Sequence, residues 1–465
     1  MPRWEWVVGC LVLAGGSACS DPDETVHGDV GRPDEGGAGD DGGGGDADAD
    51  ADAYVPPGAR MHGTVWGPAP PDAPSLFPVS GALVAAYLSP PPEIPDEVYC
   101  EQCVTLDPAV PHTMSAADGS FQLALPPGGH YWFAVQKGQF RRVAELDVPA
   151  AEGDYDVEVW RTTLPSRTDR AIGDTIPNIA VLYGDYDQIE DLLAKVGIGA
   201  DDSAYGYDYD QTDAPFDLYD NGNVEHHGAN KWDLLGAIET MRPYHIIFFN
   251  CSYNAIFRFM GNAEVQDRMR QYVAEGGKLY VSDYAMPVVE KPWPDFIWFN
   301  SPLYGGCNEA DTDPPSCNHG PPFDAPSTAA DPGLHDWLQA QDLLEDGFDT
   351  LENWDTIGGL FEGEMGTDPD TGDIVRGMPA TWVEGSWNYT ADDLDGTSHT
   401  VDTWDYDTQH PFTVSFQYGC GRVLFTTYHT VGATGGGRHP GLYEQELTLF
   451  YMIMEIGVCQ DEILL

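Results

Sequence analysis

Between Ser20 and Tyr54 the chain consists mostly of Asp, Glu, Gly and Ala, and it closes on the alternation Asp46-Ala47-Asp48-Ala49-Asp50-Ala51-Asp52-Ala53. Such a stretch buries too little apolar area to offset the entropy of ordering, so a disordered, self-repelling tether is expected there and folding has to begin beyond it. Ahead of it, Met1-Pro2-Arg3 makes a weakly basic start, Trp6 to Ala14 an apolar core, and Gly16-Ser17-Ala18-Cys19 a small-residue cleavage site, the order of an export signal. The apolar run falls short of the roughly 20 residues that a spanning helix needs, and no later stretch supplies them.

The small-residue box ending at Cys19 resembles the bacterial lipoprotein signal, in which the cysteine is diacylated and becomes the new N-terminus. That resemblance implies an exported protein anchored by a lipid at Cys19 to the outer membrane or cell surface. Plain secretory cleavage after Ala18, giving a secreted or periplasmic protein, is the alternative. The expected partners are the membrane, through the N-terminal lipid, and an unknown envelope protein or glycan.

The 465 residues carry 77 acidic against 20 basic side chains, a formal charge of −57. Nucleic acid is not an expected partner, because binding it depends on clustered Lys and Arg that release counterions. The same charge favours a soluble monomer with a solvated surface. With 42% apolar residues, 13 Trp, 23 Tyr and 18 Phe, the part beyond the tether can bury a sizeable core in two or three domains.

Seven cysteines follow the anchor: Cys100, Cys103, Cys251, Cys307, Cys317, Cys420 and Cys459. Export would place them where disulfides persist. An Asp/Pro-rich loop separates Cys307 from Cys317, and a bridge stapling it is the expected pairing. Cys100-Glu101-Gln102-Cys103 reads as a small local bridge ahead of half a zinc site or a redox pair, since no second C-x-x-C and no thioredoxin-like context accompany it. Seven is odd, so at least one thiol stays unpaired.

Residues 59–165 carry short strand signals between Pro and Gly clusters, among them His62 to Trp66, Ala82 to Tyr87, Phe121 to Leu125 and Tyr131 to Val135, which predicts an all-β sandwich. Gly63-Thr64-Val65, Pro78 to Val84, Ala117-Asp118-Gly119-Ser120-Phe121 and Leu125-Pro126-Pro127-Gly128 together resemble the carboxypeptidase regulatory-like (transthyretin-like) domain. In this reading Asp118-Gly119 makes a tight turn and Phe121 points into the core. Such domains are spacers or binding modules.

From about residue 172 the texture changes to apolar strands alternating with helices. Asn178 to Gly184, His245 to Asn250, Lys278 to Ser282 and Gly421 to Tyr428 read as strands. Gln188 to Gly197, Glu264 to Glu275 and Gly441 to Ile456 read as helices. This predicts an α/β three-layer fold with a mostly parallel sheet over 172–465, interrupted by a long insertion at about 290–410.

The order of strand, helix, Gly276-Gly277, strand, sharp turn, insertion, Gly419-Cys420-Gly421-Arg422 strand and His429 resembles the class I glutamine amidotransferase-like fold, notably its trehalose-utilisation-like relatives. The resemblance implies a nucleophilic cysteine just after Ser282, yet the elbow reads Val281-Ser282-Asp283-Tyr284-Ala285. Cys251 ends the preceding strand, without the flanking glycines of an elbow. His429 falls where the family's catalytic histidine lies. Ser282 or Asp283 could replace the cysteine, with His429 as base and Glu444 or Glu446 orienting it.

The expectation is therefore a degenerate amidotransferase-like domain with a non-enzymatic binding or envelope-scaffold role. The alternative is a hydrolase of glycans or peptides using Ser282 or Asp283 with His429, the aromatic run Trp293 to Phe299 lining a sugar cleft. No transition-metal site and no cofactor are expected. Asp208, Asp210, Asp213, Asp217 and Asp220, with Glu225-His226-His227, offer hard oxygen ligands that would suit Ca²⁺ if any ion bound. Asp368 to Asp373 reads as a turn.

Overall fold

The computed structural model describes residues 58–68, 77–100, 106, 109–184, 186–198, 214–221, 229–252, 259–299, 323–343, 348–353, 357–368, 371–386, 390–392, 398–400, 409–430 and 443–458. Cys19, the acidic tether, Cys103, Cys307, Cys317, Cys459, Asp208, Asp210, Asp213 and Glu225-His226-His227 lie outside these residues.

Two sheets form the N-terminal β-rich part. One has three strands, in the order β4 (Ser120–Leu125), β1 (Ala59–Thr64) and β7 (Gly153–Asp156). The other runs β3 (His112–Met114), β2 (Leu83–Tyr87), β5 (His130–Lys137), β6 (Phe140–Asp147) and β8 (Asp174–Thr175). Strand β4 alternates exposed and buried side chains, so Phe121, Leu123 and Leu125 share one face and enter the same core as Val84, Ala86, Phe133 and Val135. The rings of Phe121 and Phe133 stand 6.2 Å apart. The turn before β4 is the expected one: Gly119 takes φ +75°, where a side chain is strained, and Asp118 Oδ1 accepts the Ser120 N–H at 2.9 Å.

The C-terminal part is built on a nine-stranded mixed sheet. Its parallel half runs β10 (Asp217–Tyr219), β9 (Ile179–Leu182), β11 (Ile246–Phe249), β12 (Lys278–Ser282) and β23 (Gly421–Thr426). Strands β9, β11 and β12 are buried along their whole length. This accounts for their apolar runs, unbroken in β9 and β11 and bounded in β12 by Lys278 and Ser282, as strands with both faces covered are largely apolar. Beyond β23 the sheet turns antiparallel through β22 (His410–Tyr418), β19 (Ala380–Gly385), β14 (Phe323–Ala329) and β15 (Phe348–Asn353). Two-stranded ribbons pair β13 (Ile297–Phe299) with β16 (Ile357–Leu360), β17 (Gly363–Thr367) with β18 (Ile374–Gly377), and β20 (Thr390–Asp392) with β21 (Ser398–Thr400). The stretch expected as an insertion thus contributes three strands to the main sheet, and β-structure dominates the molecule.

Residues 56–465 cluster as one unit. Trp337, buried on the helix Pro332–Ala340, donates its indole N–H to the Pro78 carbonyl at 2.9 Å, and its ring stands 6.1 Å from that of Phe450 on the terminal helix Glu444–Ile456. Lys137 of β5 pairs with Glu455 of the same helix. A covalent tie joins the two parts as well: Cys100 is bonded to Cys420 in the turn between β22 and β23. This corrects the readings of Cys100 as a partner of Cys103, a zinc ligand or a redox pair. The reason is the path of the chain around residue 100. It passes so close over Gly276 that a Cβ there would stand 2.0 Å from the Tyr99 carbonyl oxygen, which brings Cys100 to Cys420.

Candidate functional site

In the sheet order β9, β11, β12, β23 all four strands point the same way, so the residues that follow each strand converge at one edge. The carboxyl edge of a parallel sheet is where α/β folds gather their ligand-binding loops. Cys251 follows β11, Ser282 ends β12 with Asp283 behind it, and His429 follows β23. Three of these side chains meet. His429 Nε2 stands 2.8 Å from Asp283 Oδ2, an ion-pair distance that lies off the direction of a ring N–H bond. Cys251 Sγ is 3.8 Å from the same carboxylate oxygen. One ligating atom from each of the three lies within 4.8 Å of the others, and exposure is 0% for Cys251, 0% for Asp283 and 1% for His429.

Asp283 has φ +43°, a left-handed conformation that a residue other than Gly adopts at a cost of about 1–3 kcal/mol. The backbone is still extended at Ser282 and reverses at Asp283, which opens a single 3-10 turn over Asp283–Ala285. A sharp elbow therefore does stand after the strand that follows Gly276-Gly277, with a carboxylate at its apex.

A second layer of bonds holds this edge. The Asp187 carboxylate accepts from the Gln188 N–H at 2.8 Å, the Thr430 N–H at 2.8 Å, the Thr430 hydroxyl, and the Ser282 hydroxyl at 2.5 Å. Ser282 Oγ in turn accepts the Cys251 N–H at 2.9 Å. Asn250 donates to Glu190 Oε2 at 2.9 Å and to the Asp187 carbonyl at 3.3 Å. Gln445 of the terminal helix donates to the His429 carbonyl at 2.7 Å.

Burial sets the electrostatics. It pushes the Asp283 carboxyl up to about 6, with His429 pulling the other way. It pushes the Cys251 thiol well up, so the group is a neutral thiol, again with His429 opposing. Glu190 is driven up to about 8 by burial and then by the charge of Asp191, so at neutral pH it holds its proton.

Of the expected pairings, the structure brings Asp283 to His429 and leaves Ser282 elsewhere. Among the described residues the Ser282 hydroxyl bonds to Asp187, the Cys251 N–H and the Phe249 carbonyl, so it is a bracket between strand ends and no partner of His429. Glu446 bonds the Tyr443 N–H in a capping box and pairs with Lys195, and Glu444 is exposed. The carboxylate against the imidazole is Asp283. The aromatic run expected to line a sugar cleft is largely core: Trp293, Phe296 and Phe299 are buried, Phe296 stacks on Phe416 with centroids 4.1 Å apart, and only Trp298 of the four is exposed. Asp217 accepts from the Tyr244 hydroxyl at 2.6 Å. Asp368 accepts the Thr371 N–H on its side chain at 3.1 Å and the Gly372 N–H on its carbonyl at 2.8 Å, and donates its own N–H to the Asp373 carbonyl at 2.8 Å. Sequence reasoning set Cys251 aside for want of an elbow; the signal that could have placed it was its position after the strand next to β12.

No family model and no curated protein matches the chain. Among solved structures it is similar to the GH42 beta-galactosidase Gan42B and to a catalytic mutant of that enzyme from G. stearothermophilus, at 15% and 12% identity with TM-scores of 0.24 and 0.26. Each alignment covers 61% of this chain and 30% of the galactosidase. The chain thus spans under a third of that enzyme's length, and overlap of this quality carries neither fold nor activity across.

Proposed function

We propose that this chain is an exported surface protein, lipid-anchored through Cys19 and held off the membrane by its acidic tether. In this reading a transthyretin-like sandwich over residues 59–165 and an amidotransferase-like α/β part over 172–465 together present a hydrolytic site built on Asp283 and His429. The observation that carries the hydrolytic reading is the strained elbow at Asp283 with His429 Nε2 2.8 Å from its carboxylate. Strained backbone held in place by its surroundings concentrates at functional sites, as do titratable groups displaced by burial. At such a pair the imidazole is the group that takes a proton from water, and the carboxylate orients it and stabilises its positive charge.

The test is a screen of the full exported chain on peptide and glycan substrates. Asp283→Asn and His429→Ala should each remove turnover by about 100-fold or more, while Glu444→Ala, at an exposed side chain, should leave it unchanged. Equal rates for all four proteins would sink the hydrolytic reading. Complete burial of Cys251, Asp283 and His429 favours a second reading, a binding or scaffolding role in the envelope without turnover. For the anchor, Cys19→Ala should move the protein from the membrane to the soluble fraction. No described helix is long and apolar enough to cross a membrane. Recovery of the variant in the membrane fraction would point to an attachment other than the lipid.

A further inference from the structure

We propose that Cys251, Asp283 and His429 form a site for one divalent transition-metal ion of the zinc class. Each ligand comes from the carboxyl end of a different strand: β11, β12 and β23. Three side chains with suitable donors, one thiol, one carboxylate and one imidazole, place a ligating atom each within 4.8 Å of the others.

Chemistry and geometry both select the ion. Sulfur with imidazole favours zinc-class metals over Ca²⁺ or Mg²⁺, which seek oxygen alone. Tetrahedral zinc holds sulfur at about 2.3 Å and nitrogen or oxygen at about 2.0–2.2 Å, which puts its ligand atoms roughly 3.3–3.6 Å apart. Here sulfur and oxygen are 3.8 Å apart and nitrogen and oxygen 2.8 Å. Shifts of about half an ångström therefore seat the ion. Coordination replaces the thiol proton, which leaves to solvent as the Cys251 sulfur takes the metal.

A second observation points the same way. Asp283 Oδ1 is fully buried and accepts no hydrogen bond among the described residues, although a buried polar atom ordinarily finds a partner. Coordination through both carboxylate oxygens, Oδ1 joining the Oδ2 that already faces Cys251 and His429, would give this atom its partner. Cys251, for its part, is a free, buried cysteine in a chain that bridges Cys100 to Cys420. The outer bonds needed to orient such ligands are in place: Ser282 Oγ accepts the Cys251 N–H, Asp187 accepts the N–H of Thr430 beside His429, and Gln445 holds the His429 carbonyl.

Three protein ligands leave a fourth position, the arrangement of catalytic rather than structural zinc. The inference deepens the hydrolytic reading and rests on it only for that role. With the ion present, water activation passes from the imidazole to the metal.

The experiment uses the full exported chain, stripped with chelator and titrated with Zn²⁺ and with Co²⁺ as a spectroscopic probe. One Zn²⁺ should bind per chain, and Co²⁺ should produce a thiolate-to-metal charge-transfer band. The acidic tether, which carries no cysteine between Ser20 and Tyr54, cannot give that band. Cys251→Ser should abolish it and weaken Zn²⁺ binding at least about tenfold, as should Asp283→Ala and His429→Ala for binding. The wild-type spectrum alone decides if a variant fails to fold: a cobalt complex without the band overturns the proposal. So does a band that survives in Cys251→Ser, which would place the metal on another cysteine. Hydrolysis that persists after stripping would overturn the metal's part in turnover and keep the hydrolase. Stoichiometric binding with no turnover on any substrate would do the reverse.

Discussion

Replacing Glu190 by Gln should stabilise the protein, and the gain should grow with pH. Glu190 stands on the helix Ile189–Lys195, is 3% exposed, and accepts a bond from Asn250 at 2.9 Å. Burial raises it from an ordinary 4.5 to about 8. Below about pH 4.5 the folded and unfolded chains both hold the proton, and the favourable contribution of the neutral acid is fully present. Between about 4.5 and 8 only the unfolded chain gives the proton up, so stability falls across that window and levels off above it. At about 1.36 kcal/mol per pH unit the gap sets a ceiling of about 5 kcal/mol. Gln keeps the oxygen that Asn250 bonds and has no proton to lose. Urea unfolding at pH 5 should find wild type and Glu190→Gln within about 1 kcal/mol of each other, and at pH 8.5 should find the variant ahead by about 2–4 kcal/mol. The repulsion within a chain of charge −57 also changes with pH, but it is common to both proteins and cancels in the difference. A difference independent of pH, or one shrinking as pH rises, would refute the reasoning.

Cys420→Ala should lower stability by about 2–5 kcal/mol, because the bridge to Cys100 closes a loop across 320 positions of sequence; non-reducing peptide mapping of wild type should recover Cys100 joined to Cys420, and recovery of Cys100 joined to Cys103 would contradict the structure. Asp342→Gly should stabilise by about 1 kcal/mol in urea unfolding, since Asp342 holds φ +59° just past the helix Pro332–Ala340, where Gly is the residue without strain. Ser282→Ala should cost about 2–4 kcal/mol, as it strands both the Cys251 N–H and one oxygen of Asp187 in a buried setting; a loss under about 0.5 kcal/mol would mean that water replaces the hydroxyl.

What could be read from the sequence was local. The apolar runs around Ile246–Phe249 and Lys278–Ser282 announce strands covered on both faces, and Asp118-Gly119 announces its turn, because period, burial and positive φ are written in neighbouring residues. The antiparallel half of the sheet was not legible. Strands β14, β15 and β19 carry Gly, Pro, Asp and Thr among few apolar residues and take their pairing from partners far along the chain. Nor was the disulfide: the local spacing of Cys100 and Cys103 says nothing of a partner at 420 that the fold brings up. Of the site, His429 and Asp283 were reachable by their places after two strands. The trio was not, because its members are spaced 32 and 146 residues apart and meet only when β11, β12 and β23 lie side by side.

The same adjacency explains how a strained residue persists at this edge. Asp283 gains nothing locally from φ +43°, so the conformation must be imposed from both sides. On one side Ser282 is fixed by its hydroxyl to Asp187 and by the Cys251 N–H to its oxygen. On the other, His429 meets the carboxylate while the next residue, Thr430, is bonded to Asp187 through both its N–H and its hydroxyl. Asp187 thus links the chain after β9 to the ends of β12 and β23, and through Ser282 to β11. It touches neither Cys251 Sγ nor His429 Nε2 in any of these bonds. Its effect on the trio is positional: it fixes the backbone from which those groups project, and a buried carboxylate bonded four times is a stiff support for that purpose.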